Sequence, residues 1–467
     1  MSANGREENT LFDSAVRLRS DIRESNLWQS ATGSIGLQHS ITPKSKIDFS
    51  LDYLYYRNSN PSSYDHSTVD DQHNADIADV SLTKTTPIRF LVAKADYQYD
   101  VLPTLKIESG VKITTSQLKN DVFVYRTPND AWQIDTTLSS RSSVSEKIIA
   151  GYISGQWYDP RKVWQIQAGV RYEYTVMSLN TLEQAPLLSR TYGYLFPSLT
   201  VTRKMQGDRS AHFGYTRRIT RPTYNDIAPY VFFWGRNVFS AGNTGLLPAI
   251  AESVNLGYNV NGWTFAIYYT DVANEIAILQ PTVSATTGDL MFRAENLKYL
   301  RTLGVSASHS VSPAKWWDVQ FNLALQLQNA QTAHLLSNRL QELANANLYL
   351  VNQWKLPKDF ALEISAVYQT KTLSGIARML PTLSVNAGMQ KSLGSRGIIR
   401  LSIDDILYYT NWRVKTHTPE NNINSYFDYD WHNQFVRISY SRSFGSRGIK
   451  SLKAQSGAEE ERKRVSN

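Results

Sequence analysis

WWDVQFNLALQLQN, residues 316–329, decides how the rest of the chain is read. Trp317, Val319, Phe321, Leu323, Leu325 and Leu327 fall on one side of an extended chain. Asp318, Gln320, Asn322, Ala324, Gln326 and Gln328 fall on the other, because successive strand side chains point to opposite faces. A helix would space its apolar residues three and four apart, and this stretch fails that pattern at nearly every position. The strand is long: strands of soluble proteins run about five or six residues, whereas an oblique bilayer crossing takes roughly 9 to 11. The apolar side carries no charge and opens on tryptophan, and the other carries amides, as expected when one face meets lipid and the other a wet lumen. A long strand in a soluble sandwich alternates in the same way, so the neighbouring strands must decide.

Composition favours the membrane. The 467 residues include 27 Tyr and 11 Trp, and aromatics reach 12%, which suits interfacial girdles. A mean hydropathy of −0.37 and the lack of any run of about 18 uncharged apolar residues argue against transmembrane helices. A barrel escapes that test because only alternate residues face lipid. With no cysteine, disulfides, thiol nucleophiles and Cys-ligated zinc are excluded. The net charge of +8 is spread along the chain and forms a basic run only in the C-terminal tail, so nucleic acid is not an expected partner.

Turn chemistry punctuates the chain in two alternating lengths. Tight turns are predicted at 42–46 (TPKSK), 102–104 (LPT), 159–162 (DPRK), 204–209, 259–262 (NVNG), 312–315 (SPAK), 356–358 (LPK) and 394–397 (GSRG), each built on Pro, Gly, Asn or Asp. Longer loops are expected at 58–86, 126–142, 179–189, 220–248, 281–288, 330–337, 372–377 and 416–422. Short turns on one rim and long loops on the other is the asymmetry of a membrane barrel. Between them the alternation repeats. Ile47, Phe49, Leu51, Tyr53 and Tyr55 oppose Asp48, Ser50 and Asp52, and Trp164, Ile166, Ala168, Val170, Tyr172 and Tyr174 oppose Gln165, Gln167, Arg171 and Glu173. Spanning sheets must close, because an open edge in lipid leaves unpaired backbone groups costing several kcal/mol each. The expected fold is therefore all-β, an antiparallel transmembrane β-barrel of about 16 to 18 strands.

The centre of the chain carries a recognisable pattern. YTRRITRPTYNDIAPY (215–230) followed by GNTGLLPAIAESVNLGY (242–258) resembles the barrel region of TonB-dependent receptors, in the outer-membrane β-barrel family common in Bacteroidetes-type bacteria. Arg218, Ile219, Arg221, Pro222, Tyr224 and Pro229 match its first motif; Gly242, Asn243, Leu246, Pro248, Leu256, Gly257 and Tyr258 match its second. Thr244, Ala249 and Asn255 depart from the usual Pro, Glu and Glu. AGVRYEYT (168–175), LFPSLTVT (195–202) and IRLSIDDIL (399–407) extend the resemblance over about 145–445 in the family's order. The resemblance implies a 22-stranded barrel preceded by a plug and by a segment that contacts an inner-membrane energy transducer. Neither plug nor about five of those strands is recognised here, so the chain is read as a partial, C-terminal barrel portion.

The expected organisation is an N-terminal lead-in at 1–26, read as the end of a missing strand, a transmembrane barrel at 27–446 and a polar tail at 447–467. The tail's composition gives it no core to join, so it is expected disordered in the periplasm. MSANGREENTLFDSAVRLRSD has no basic region followed by an apolar one. Since a barrel must be exported, either the natural beginning is missing or the outer-membrane location fails.

Candidate sites are weighed against plainer roles. Tyr224, Asp226, Tyr230, Phe233, Trp234 and Arg236 sit in the long loop 220–248, where exposed aromatics can stack on sugars or siderophore rings; packing the loop against the barrel mouth is the plainer alternative. Arg218 and Arg221 are expected to pair with lumen carboxylates as architecture. Asp65, His66, Asp70, Asp71, His73, Asp76 and Asp79 could hold a divalent cation, but without ligand-loop spacing a solvated acidic loop is favoured, and no metal or cofactor is assigned. No GxSxG, HExxH, P-loop or dinucleotide pattern occurs, so no enzyme is expected. The resulting expectation is a receptor that takes up a scarce nutrient such as a siderophore or glycan, with outer-membrane lipid and a surface lipoprotein as partners. The alternative is a barrel that anchors a surface complex without transport.

Overall fold

The computed structural model describes residues 2–9, 14–69, 75–127, 131–136, 138–181, 186–228, 231–235, 238–283, 290–332, 340–418, 423–430, 434–444 and 456–465. For 2–9, 14–22, 65–69, 75–79, 231–235, 238–239, 283, 290, 423 and 429–430 it describes the backbone alone. Long amphipathic strands dominate. The wall begins with β1 (Leu27–Thr42), β2 (Ser45–Val69), β3 (Ala75–Leu102), β4 (Leu105–Arg126), β5 (Ser140–Tyr158) and β6 (Trp164–Thr181). It continues through β7 (Leu188–Met205), β8 (Arg209–Thr220), β9 (Ala249–Val260), β10 (Trp263–Ala273), β11 (Leu290–Ala314) and β12 (Trp317–Thr332). β13 (Leu340–Leu356), β14 (Phe360–Gln369), β15 (Thr382–Ser392), β16 (Ile398–Asp404) and β17 (Phe435–Ser441) complete it. Each is antiparallel to the next, and these seventeen among the described residues fall within the expected range.

One rim carries all eight predicted tight turns and the other the eight longer connections. The turns use residues that tolerate positive φ, as at Asn261 and Gly262 between β9 and β10. The outward faces are apolar in register. Leu256, Ile267, Val305 and Leu325 lie side by side across β9 to β12, and each is at least a third exposed to the surroundings, as a lipid-facing row must be. Trp164, Trp263, Trp316 and Trp317 sit beside the tight turns, with the Trp263 ring stacked 4.3 Å from that of His309. Tryptophans there mark a membrane interface. No helix among the described residues is long and apolar enough to cross a membrane.

The longer connections hold more pairing than expected. In the predicted loop 58–86, β2 runs on to Val69 and β3 begins at Ala75, pairing in register down to Asp65 opposite Asp79. One face of this ribbon is buried at Asn58, Ser62, Tyr64, Val80, Leu82 and Thr86, so the polar side chains that suggested a loop do not oppose the ladder. Asp70, Asp71 and His73 lie outside the described residues, as do the side chains of Asp65, His66, Asp76 and Asp79. Similarly, Ile276–Val283 extends into the predicted loop 281–288 and pairs with β11.

Closure is partial. Among the described residues β1 pairs with β2 and β17 with β16, and no ladder joins β1 to β17. Both edge strands are exposed on both faces. At the long-loop rim the gap is bridged: Ser2–Asn9 pairs with Ser14–Glu24 and with Ile423–Asp430, and Ser14–Glu24 pairs with the upper end of β2. Within the lead-in, 2–9 and 14–24 thus form antiparallel ladders at the rim rather than the end of a wall strand.

A candidate site at the mouth of the lumen

β8 is short, ending at Thr220, so the chain turns inward below the rim and drops α1 (Tyr224–Ile227) into the lumen. The turn is fixed locally. The Thr223 side chain accepts from the Asp226 amide, while the Asp226 carboxylate accepts from the Thr223 amide at 3.0 Å, a reciprocal cap that satisfies orphan donors. Asp226, a candidate ligand residue, therefore holds the start of α1.

Tyr224, the second candidate, is buried at 3% exposure. Its ring lies 6.3 Å from that of Phe90, and its hydroxyl lies 2.8 Å from Ser116 Oγ and donates to Glu146 at 3.3 Å. Burial pushes the phenol above its ordinary value, so it stays a neutral hydrogen-bonding group. Around it Leu54, Ile88, Phe90, Leu118, Val144, Met177, Leu179, Ile227 and Leu246 form an apolar cluster inside the barrel. These lumen-facing residues reverse the usual polar interior locally, because the loop needs a surface to pack on.

The motif residues tie this loop to the wall. Arg221 donates to Glu173 at 2.6 Å and to the Thr175 hydroxyl at 3.1 Å, and lies 4.0 Å from Glu146. Burial alone would lower the Arg221 pKa, but Glu173, together with Tyr192 and Glu146, raises it overall. The expected lumen pairing therefore holds for Arg221. Arg218 is exposed and has no ion-pair partner among the described residues. Pro222 is buried beside Ile227, Leu246 and Pro248.

The second motif packs against the first. A Cβ on Gly242 would fall 1.8 Å from the Ala228 carbonyl oxygen, so only glycine permits this approach. Asn243 donates to the Ala294 carbonyl at 2.9 Å and to Glu295 at 3.1 Å, while its oxygen accepts from the Gly245 amide. Arg190 of β7 donates to the carbonyls of Thr244, Gly245 and Leu246. Sequence reasoning passed over Arg190 and Glu146; each was visible only as a charged residue on a strand's polar side. Of the remaining loop candidates, Pro229, Tyr230 and Arg236 lie outside the described residues. Phe233 and Trp234 lie on Val231–Gly235, which pairs with Val238–Ala241.

A further contact is supplied by the C-terminus. The expectation that 447–467 stands apart in the periplasm does not hold for 456–465, which lie in the lumen. Ala458 and Val465 join the apolar cluster, Arg464 pairs with Glu146 and covers the Tyr224 ring at 4.6 Å, and Lys112 holds Glu460 and Glu461. Composition hid this because the contacts are mostly ion pairs with a wall that no local pattern reveals. Lower down, toward the tight-turn rim, the lumen keeps polar cavities of about 650 Å³, lined by Glu363, Asn386, Arg400, Asp404 and Arg437 among others, and about 430 Å³, lined by Lys44, Gln98, Lys106, Glu108 and Gln156 among others.

Apolar rows outside, ionic and polar groups inside and a loop folded into the mouth define an outer-membrane β-barrel. Compared with known families, residues 39–441 match the outer membrane protein beta-barrel family. The chain belongs to that family, which places it in the bacterial outer membrane and makes it a membrane barrel rather than an enzyme. Among solved structures, the copper transporter OprC shares the fold at a TM-score of 0.55 and 10% identity, over 91% of this chain and 78% of that one. The ferric-catecholate import receptor Fiu from E. coli K12 is similar at 0.52 and 10%, over 91% and 80%. The ferric yersiniabactin uptake receptor FyuA from Yersinia pestis is similar at 0.52 and 10%, over 92% and 79%. At these identities the likeness is one of fold. No curated protein matches the chain in sequence.

Proposed function

We propose that this barrel is the channel part of an uptake receptor that binds a scarce nutrient, such as a metal chelate or an oligosaccharide, at the long-loop rim and passes it inward. The observation that carries this reading is a mouth filled by an anchored loop above polar cavities. Copper, ferric-catecholate and ferric-yersiniabactin carriers share the architecture. Recognition is proposed for the loop beyond α1, with Tyr224 and Asp226 setting its base and Tyr230, Phe233, Trp234 and Arg236 supplying its contacts. Energy coupling is proposed to run through a plug and a transducer-contact segment in the intact receptor, and a surface lipoprotein is proposed as an outer partner.

The test is calorimetry of the purified chain against ferric siderophores, cobalamin and oligosaccharides. Binding of one class, lost when Phe233 and Trp234 are both changed to Ala, supports the reading. No binding across the panel, or binding that ignores both changes, refutes it. The alternative of a barrel that anchors a surface complex without transport is favoured by the packed lumen around Tyr224, and predicts co-purification of a surface protein without small-molecule binding.

A further inference from the structure

The lumenal faces of β2, β4 and β5 present charges in a fixed order, and one short segment matches all of them. Asp52, fully buried, accepts from the Ser456 hydroxyl and the Gly457 amide, each at 2.9 Å. Lys112, with a side chain 7% exposed, lies 2.9 Å from Glu460 and 3.0 Å from Glu461. Thr114 adds a hydrogen bond to Glu461 at 2.8 Å. Glu146 takes the Arg464 guanidinium. Ala458, between these polar contacts, and Val465, just after the last of them, are buried in the apolar cluster.

The wall depends on this match. Both ion-pair partners of Lys112 among the described residues belong to the segment, and a buried ammonium left unpaired is strongly unfavourable. The contact is also continuous through α2 (Glu459–Lys463), whose single turn brings both carboxylates to one lysine. A surface that pairs an acceptor, a cation and an anion with successive residues of one peptide is a peptide-binding site.

We propose that the lumenal wall of β2, β4 and β5 is a binding site for a short peptide with paired carboxylates followed by an arginine, and that the chain's own residues 456–465 occupy it as a stopper. The assignment is independent of which cargo the barrel carries, and of whether it carries any. The same peptide supplied separately competes for the site, and losing the segment's charges opens this half of the lumen.

The full chain allows the test without touching the wall. Reversing the segment's charges (Glu460→Lys, Glu461→Lys, Arg464→Glu) leaves β2, β4 and β5 intact. A fluorescent peptide with the native sequence of 456–465 should bind this variant at least tenfold more tightly than the unaltered chain, whose site is filled. Adding Lys112→Glu to the variant should abolish that binding. In planar bilayers the charge-reversed chain should conduct severalfold more than the unaltered one, and the peptide should close it. Because the chain lacks cysteine, the pair Ser50→Cys and Gly457→Cys reports the position directly. A Cβ on residue 457 lies 2.8 Å from Ser50 Oγ, within disulfide reach. Oxidation should form that bond and leave conductance low, with no rise on reduction, because the native charges still hold the segment. Equal peptide binding to both chains, unchanged conductance, or failure of the disulfide to form overturns the proposal.

Discussion

Placing arginine at Leu323 tests the assignment of faces on which everything else depends. Leu323 stands six residues beyond Trp317, which sits beside a tight turn at the membrane interface. At about 3.3 Å per residue and a tilt of about 40°, six residues rise about 15 Å, close to the middle of an apolar band about 25 Å tall. Its neighbours across the outer face are Ala307 and Leu348, and Phe265 and Tyr368 follow in the same row. None of these offers an anion. Leu323→Arg should therefore cost roughly 2 to 4 kcal/mol. Asn322→Arg, one residue earlier and exposed toward the lumen, should stay within about 0.5 kcal/mol. Urea unfolding in phospholipid vesicles, followed by tryptophan fluorescence, measures both. Equal losses at the two positions, or a larger loss at 322, would refute the assignment.

Three further outcomes are expected. Arg221→Met should lose about 1.5 to 3 kcal/mol in the same assay because it removes one of the two guanidinium groups that hold the buried Glu173, Arg171 being the other, and combining it with Glu173→Met should cost less than the sum of the two single losses; strictly additive losses would mean that the two side chains do not act as a pair. Gly242→Ala forces the loop away from Ala228 and should cost roughly 1 to 3 kcal/mol, with trypsin cutting at Arg236 faster than in the unaltered chain; unchanged stability and digestion would contradict the close approach. The Glu460 side chain is largely exposed; partial desolvation would raise its carboxyl, but Lys112, together with Arg171 and Arg221, holds it below its ordinary 4.5, so its attraction is complete above that value and fades as pH falls through the lowered one. With Asp52, Lys112 and Glu146 on the wall facing the segment's own Glu461 and Arg464, a label on residue 457 should stay immobile at neutral pH and loosen only below pH 4.5. Release near neutrality would count against the ion pairs.

The outline of the barrel was legible because lipid imposes a period of two. Leu256, Ile267, Val305 and Leu325 declare their face without knowledge of their neighbours, and Pro, Gly and Asn mark each tight turn. The long connections were less legible. Where polar residues fall on both sides of a ribbon, as from Asn58 to Ser63, their pattern does not distinguish ladder from loop. The mouth was legible as a motif but not as a mechanism. Tyr224 looked like an exposed loop aromatic because its burial depends on Ser116 and Glu146, each far away in sequence. Residues 456–465 were the hardest to place, since Lys112 and Glu461 are 349 positions apart and nothing local to either names the other.

The unjoined edges of the wall constrain what could ever fill them. β1 leaves the long-loop rim and descends, and β17 descends as well, because an odd number of alternating segments returns to its starting polarity. Zipping the two together directly would demand a parallel seam within an otherwise antiparallel ring. Any insert that preserves up-and-down alternation must contribute one, three, five or some other odd number of crossings, and a guest hairpin alone would leave the mismatch in place.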